Sequence, residues 1–305
     1  MKPETIALHH GYEADNQHAV AVPIHQTTSF SFDNAQHGAD LFDLKVAGNI
    51  YSRMMNPTCA VLEQRVAALE GGIGALAVAS GMAAITYAIQ TIAEAGDNLV
   101  SISELYGGTY NLLAHTLPRQ GIETRFADKD DFAGIEALID GRTKALFCES
   151  IGNPSGSVVN IRRLADIAHA AGIPLVVDNT VATPFLWRPI EQGADIVVHS
   201  ATKYMGGHGT TMGGVIVDSG TFPWADQPKR FALLNEPDVS YHGVSYTRDV
   251  GEAAFITRAR VVPLRNMGAV LSAQAAWNLL QGLETLALRI ERVCENTQKI
   301  AEYLQ

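Results

Sequence analysis

Gly193-Ala194-Asp195-Ile196-Val197-Val198-His199-Ser200-Ala201-Thr202-Lys203-Tyr204, followed by Met205-Gly206-Gly207-His208-Gly209, decides how this chain is read. The apolar, β-branched run Ile196 to Val198 is the pattern of a buried strand. It ends in two hydroxyls and one amine, so the strand carries Lys203 to the rim of a sheet. The hydroxyls of Ser200 and Thr202 can bind an anion, and the glycines keep the approach open. A desolvated lysine is a good Schiff-base nucleophile. With an anion site beside it, the natural ligand is pyridoxal phosphate (PLP). On its own, Ser-x-x-Lys describes any lysine after a strand, and the reading rests on the residues around it.

Outward from this stretch, strand and helix patterns alternate. A helical pattern on Val61, Leu62, Val66 and Leu69 ends at Gly71-Gly72. Strands are predicted at 75–79, 98–102, 123–126, 144–149, 174–178, 196–199 and 214–217, with helices at 83–93, 107–117, 132–138, 161–171 and a short one within 184–192. Repeated βα units with near-continuous apolar strands predict an α/β fold: a mostly parallel sheet covered on both faces. Residues 1–60 read as an irregular arm without a core of its own, suited to wrapping another surface. Residues 61–260 read as one large domain. Its segment 219–260, with Pro223, Trp224, Pro228 and Pro237, reads as a long surface insertion. From Val262 one helical pattern runs through Trp277 and Leu286 to the end.

Ligands of open α/β sheets bind beyond the carboxyl ends of the strands, and several polar residues fall there. Ser80-Gly81-Met82 opens a helix after a strand, where backbone N–H groups of Gly81 and Met82 can hold phosphate. Asp178-Asn179-Thr180 closes an apolar strand. Asp178 can sit beside a pyridine nitrogen or simply cap the next segment. Tyr106 can stack on a flat cofactor or head a helix as a core residue. Asn153 can donate to a phenolic oxygen or mark an Asn-Pro turn. Tyr51-Ser52-Arg53 lies in the arm; Arg53 suits a phosphate, although by itself it reads as a solvated surface residue.

Composition narrows the classes. The 305 residues are 47% hydrophobic, with a formal net charge of −10 and no basic stripe, which argues against nucleic-acid and anionic-membrane partners. Cys59, Cys148 and Cys294 form neither a CxxC pair nor a zinc pattern, so no metal site is expected, and their low, odd number fits a reducing cytoplasm. The N-terminus has no apolar core of a secretory signal.

The strings Tyr51-Ser52-Arg53, Asn56-Pro57-Thr58, Ser80-Gly81-Met82-Ala83-Ala84, Asp178-Asn179-Thr180 and Ser200-Ala201-Thr202-Lys203 together resemble the PLP-dependent enzymes of Cys/Met metabolism, over essentially the whole chain. Leu105-Tyr106-Gly107-Gly108-Thr109-Tyr110, Glu149-Ser150-Ile151-Gly152-Asn153-Pro154 and Tyr241-His242-Gly243 are most similar to the O-acetylhomoserine sulfhydrylases of that family, and Gly108 stands where methionine γ-lyases carry Cys. The resemblance implies the large domain of an aspartate-aminotransferase-type PLP-dependent transferase. The reaction it implies is γ-replacement: O-acetyl-L-homoserine and sulfide to L-homocysteine and acetate. Cystathionine γ-synthase or γ-lyase chemistry on the same scaffold, or a non-catalytic remnant, are the alternatives.

It further implies a catalytic Lys203, assisted by Tyr106 and Asp178, with Gly81, Met82, Asn153, Thr180, Ser200 and Thr202 holding the cofactor. Tyr51 and Arg53 would reach the cofactor phosphate of a neighbouring subunit in a homo-oligomer built as a dimer of dimers. Residues 261–305 would begin a helical linker to a small C-terminal domain, absent from this sequence, that bears the arginine for the substrate carboxylate.

Overall fold

Seven strands define the frame of the computed structural model, which describes residues 1–14 and 16–305. They are β1 (Gly74–Val78), β2 (Asn98–Ile102), β3 (Glu123–Ala127), β4 (Thr143–Glu149), β5 (Leu175–Asp178), β6 (Ile196–His199) and β7 (Gly214–Asp218). They form one sheet in the order β1-β7-β6-β5-β4-β2-β3. Only β7 runs antiparallel to its neighbours, β1 and β6; the other pairs are parallel. All strands but β7 therefore end on the same edge.

The alternation of side chains along the strands feeds two cores. Leu175, Val177 and Val197 pack on one face with Leu62, Val66, Leu164, Ile167 and Leu279. Val176, Ile196 and Val198 pack on the other with Ile85, Ile89, Leu113 and Phe255. Each such side chain, removed from water, contributes about 1.5–3 kcal/mol, which is why central strands carry no polar alternation.

The helices that deliver the site start where capping chemistry starts them. In chain order they include α1 (Pro3–His9), α2 (Ala35–Phe42), α3 (Pro57–Glu70) and α4 (Gly81–Gln90). α3 begins with Pro57 behind Asn56, whose side chain accepts from Thr58 N, and ends at Gly71 with φ +83°. Ser80 caps α4 by accepting from Ala83 N at 3.1 Å.

Three expectations from sequence change. The arm is not irregular throughout: Ile6 and Ala7 of α1 are buried against the chain's own core. The guanidinium of Arg65, on α3, donates to the carbonyls of Ala7 (3.2 Å) and His10 (2.8 Å), groups that the end of a short helix leaves without partners. Segment 219–260 is not a surface insertion. Trp224, Phe231, Leu234, Tyr241, Tyr246 and Phe255 are all buried in the second core. The Pro and Gly residues turn the backbone repeatedly while the aromatic side chains point inward. Finally, the single long helix from Val262 is divided. Gly268 (φ +74°) closes the first piece, Ser272 caps Ala273–Glu284, and a break at Thr285 precedes Leu286–Leu304.

The indole of Trp224 lies parallel to Phe255 (5.6 Å, 9°) and perpendicular to Phe231 (4.9 Å, 89°). Replacing Trp224 with Ala should lower unfolding stability by about 3–5 kcal/mol. Urea titration followed by far-ultraviolet circular dichroism checks this; a loss below about 1 kcal/mol would mean that the segment is not part of the core.

Candidate active site

β7 is entered through Gly213 and opens with Gly214, between the ends of β1 and β6. A Cβ at Gly214 would fall 2.1 Å from Ser80 O and 2.9 Å from Gly81 N, and one at Gly81 would fall 2.6 Å from Ser200 Cβ. Without side chains at these two positions, the N-terminus of α4 comes directly against Ser200. The N–H groups of Gly81 and Met82 belong to the first helical turn and have no carbonyl one turn back. They and the Ser200 hydroxyl form a concentrated set of donors at the positive end of a helix, suited to a phosphate.

The next two strands supply acid. Asp178 Oδ1 accepts from Thr180 N (3.0 Å) and from Thr180 Oγ1 (2.5 Å), while that same Oγ1 accepts from Ser200 N (2.8 Å). Thr180 thus ties the end of β5 to the end of β6. Desolvation pushes the Asp178 carboxyl up, against the Thr180 hydrogen bonds and the charge of His199, which lower it. Asp178 has no ion-pair partner among the described residues, so a cation above it would relieve the cost of its charge.

Glu149 ends β4 in register with Asp178. Sequence reading gave it no role, although its place at the end of an apolar strand was a visible signal. It is buried, and it accepts from Tyr106 N (2.7 Å) and Asn153 N (3.2 Å). One carboxylate therefore holds both loops that present Tyr106 and Asn153. Burial, with the neighbouring Asp178, raises its carboxyl to about 7. Tyr106 is half exposed, and its ring lies so close over Gly108 that a Cβ there would meet Cε1 at 2.5 Å.

Lys203 follows in a turn, its N–H donating to Ser200 O at 3.1 Å. It is exposed, not desolvated as the sequence suggested, because the chain has already left the sheet at His199. Thr202 is also less available than expected. Its hydroxyl donates to Gly213 O (3.2 Å) and accepts from Gly213 N (3.0 Å). Tyr51 and Arg53 lie apart from these strand ends on the arm, exposed, with the guanidinium 5.3 Å from the Tyr51 ring centre. Among the described residues neither makes a hydrogen bond or ion pair to the strand-end residues.

Donors for a phosphate, an unpaired carboxylate, a free amine and an exposed ring thus line one sheet edge. They fit an aromatic aldehyde that carries a phosphate and a protonated ring nitrogen. The sequence profile of the Cys/Met metabolism PLP-dependent enzymes matches residues 4–305. The chain belongs to that family. It is 51% identical over 306 residues to the homocysteine/cysteine synthase of Saccharomyces cerevisiae, an alignment covering 99% of this chain and 69% of the yeast protein. It is 48% identical to the O-acetyl-L-homoserine sulfhydrylase of Leptospira meyeri, covering all of this chain and 71% of that one. A solved Campylobacter jejuni protein, assigned as an O-acetylhomoserine (thiol)-lyase and holding N′-pyridoxyl-lysine-5′-monophosphate, superposes with TM-score 0.96 at 43% identity, over 100% of this chain and 75% of that one. Among the described residues no helix is long and apolar enough to cross a membrane, and no group of three metal-ligating side chains occurs.

The Glu149 carboxyl generates a pH prediction. Its folded value, about 7, lies above the ordinary 4.5. Its contribution to stability is therefore full below about 4.5 and lost as pH rises through 7. Cofactor-free wild type should lose on the order of 2 kcal/mol relative to Glu149→Gln between about pH 5.5 and 8. A stability difference independent of pH, measured by denaturant titration, would contradict the assignment.

Proposed function

We propose that this chain is a PLP-dependent transferase that converts O-acetyl-L-homoserine and sulfide into L-homocysteine and acetate. The observation that carries this reading is the 51% identity to a homocysteine/cysteine synthase across nearly the whole chain, together with the convergence of Lys203, Asp178 and the α4 N-terminus on one sheet edge. The bound cofactor supplies an electron sink for charge that develops on the substrate beside its amino group.

The chain's own groups do the rest. Gly81 and Met82 N–H and the Ser200 hydroxyl bind the phosphate, with Thr202 shaping the loop through Gly213. Asp178 holds the ring-nitrogen proton, and Thr180 holds Asp178. Tyr106, fixed through its backbone by Glu149, would stack on the ring, and Asn153, held by the same carboxylate, would donate to its phenolic oxygen. Lys203 Nζ, exposed at the rim, would bind the cofactor and move the Cα proton. Tyr106 assists in acid–base steps. The bond from Cγ to the ester oxygen breaks, its electron pair leaves with acetate, and hydrosulfide forms the new C–S bond.

Exposed and unattached to its own site, the Tyr51–Arg53 pair fits a contact with the cofactor phosphate of a neighbouring subunit. The protein accordingly acts as a homo-oligomer, in the cytoplasm, with residues 1–60 as the inter-subunit arm, 61–260 as the cofactor domain and 261–305 as a helical extension.

Purified protein with PLP should form homocysteine from O-acetyl-L-homoserine and sulfide, faster than it forms cystathionine from the same ester and cysteine. Cystathionine as the main product would move the chain to the synthase reading. Asp178→Asn should retain PLP, read by its visible absorbance, yet lose most of the turnover. Near-normal turnover in that variant would remove Asp178 from its assigned place.

A further inference from the structure

The face of the sheet opposite the site carries a second polar cluster. Glu70 is the last residue of α3 and is 0% exposed. Its Oε1 accepts from Asn179 Nδ2 at 2.9 Å and meets His199 Nε2 at 2.6 Å. Both partners are themselves buried, at 0% and 1% exposure. Glu70 is doubly unfavourable where it stands. A buried carboxylate loses its hydration, and a negative charge at a helix C-terminus opposes the helix dipole. The hydrogen bonds it makes must offset both costs.

Their location gives them a purpose. Asn179 lies between Asp178 and Thr180. His199 directly precedes Ser200. Each thus has a side chain below the sheet while its chain neighbours face the site above it. We propose that Glu70 is a positioning residue for the cofactor site, a single carboxylate that clamps the ends of β5 and β6 from the opposite face of the sheet. The clamp complements the Thr180 bridge above the sheet, so the distance between the Asp178 carboxylate and the Ser200–Lys203 turn is fixed on both faces. Asn179 Nδ2 extends the network to Trp187 O at 2.8 Å, which anchors the segment that follows β5. This inference rests on the reading of the site as a PLP site.

The test is a spectral titration of the 305-residue chain with PLP, alongside thermal melting of the cofactor-free proteins. Glu70→Gln keeps an amide oxygen able to accept from both partners and should bind PLP within about threefold of wild type. Glu70→Ala removes the clamp and should weaken PLP binding by about tenfold or more, with a shifted visible absorbance maximum. Should Glu70→Ala fail to fold, Asn179→Ala, which cuts one arm of the clamp, should weaken PLP binding in the same direction and shift the same band. A lower melting temperature with unchanged PLP affinity and spectrum would reduce Glu70 to a purely structural role and overturn the proposal, as would equal losses in Glu70→Gln and Glu70→Ala. Failure of wild type to bind PLP at all would instead count against the site reading itself.

Discussion

A strand that begins with glycine, directly behind another, sets the geometry on which the rest depends. Because β7 enters the sheet as Gly213-Gly214, the carbonyl of Ser80 can lie where a Cβ would otherwise be, 2.1 Å from the position that side chain would take. That close approach brings a helix N-terminus from one strand end against the Ser200–Lys203 turn from another. Parallel strands β6, β5, β4 and β2 then add their ends in order along the same edge. The site is a consequence of sheet order: each neighbour in space contributes one chemical group, although the groups are far apart in sequence.

Charge is handled by the same logic. Asp178, Glu149 and Glu70 are three carboxylates drawn away from water around two strand ends, and each is held by hydrogen bonds to the backbone or side chains of a neighbouring segment. Their desolvation opposes folding. In return they fix loops that have little apolar surface of their own. The carboxyls of Asp178 and Glu149 are both pushed up by burial, and a cationic ring above Asp178 would lower that penalty. Cofactor binding and stability of this edge are therefore expected to be linked.

Much of the fold could be read from the sequence because strand signals are local. β2 and β6 coincide with the predicted segments, and the others differ by a residue or two at their ends. Asp178 and Lys203 stood out since a polar group that closes an apolar run must emerge at a sheet edge. Segment 219–260 was misread because Pro and Gly mark turns whether or not the aromatic residues between them are buried. The division of the C-terminal helical pattern was signalled by Gly268 and Ser272, but the apolar periodicity continued across both. Glu70 carried no signal of a site-organising role, and Glu149, though it visibly closed an apolar strand, gave no sign of what it would hold. Their roles depend on partners as distant in sequence as His199 and Tyr106, and a glutamate at the end of a helix or strand looks the same when it points into solvent. The exposure of Lys203 likewise depends on the turn that follows β6, not on the apolar run before it.

The central claim is that this edge binds PLP covalently through Lys203. Three of the other six lysines sit in ion pairs, Lys45 with Asp43, Lys129 with Asp130 and Lys144 with Asp97. The most direct measurement is borohydride reduction of the PLP-loaded protein followed by peptide mapping with mass spectrometry. The account predicts one phosphopyridoxyl group per chain, on the peptide containing Lys203. The same group found mainly on another lysine, with Lys203 unmodified, would contradict it.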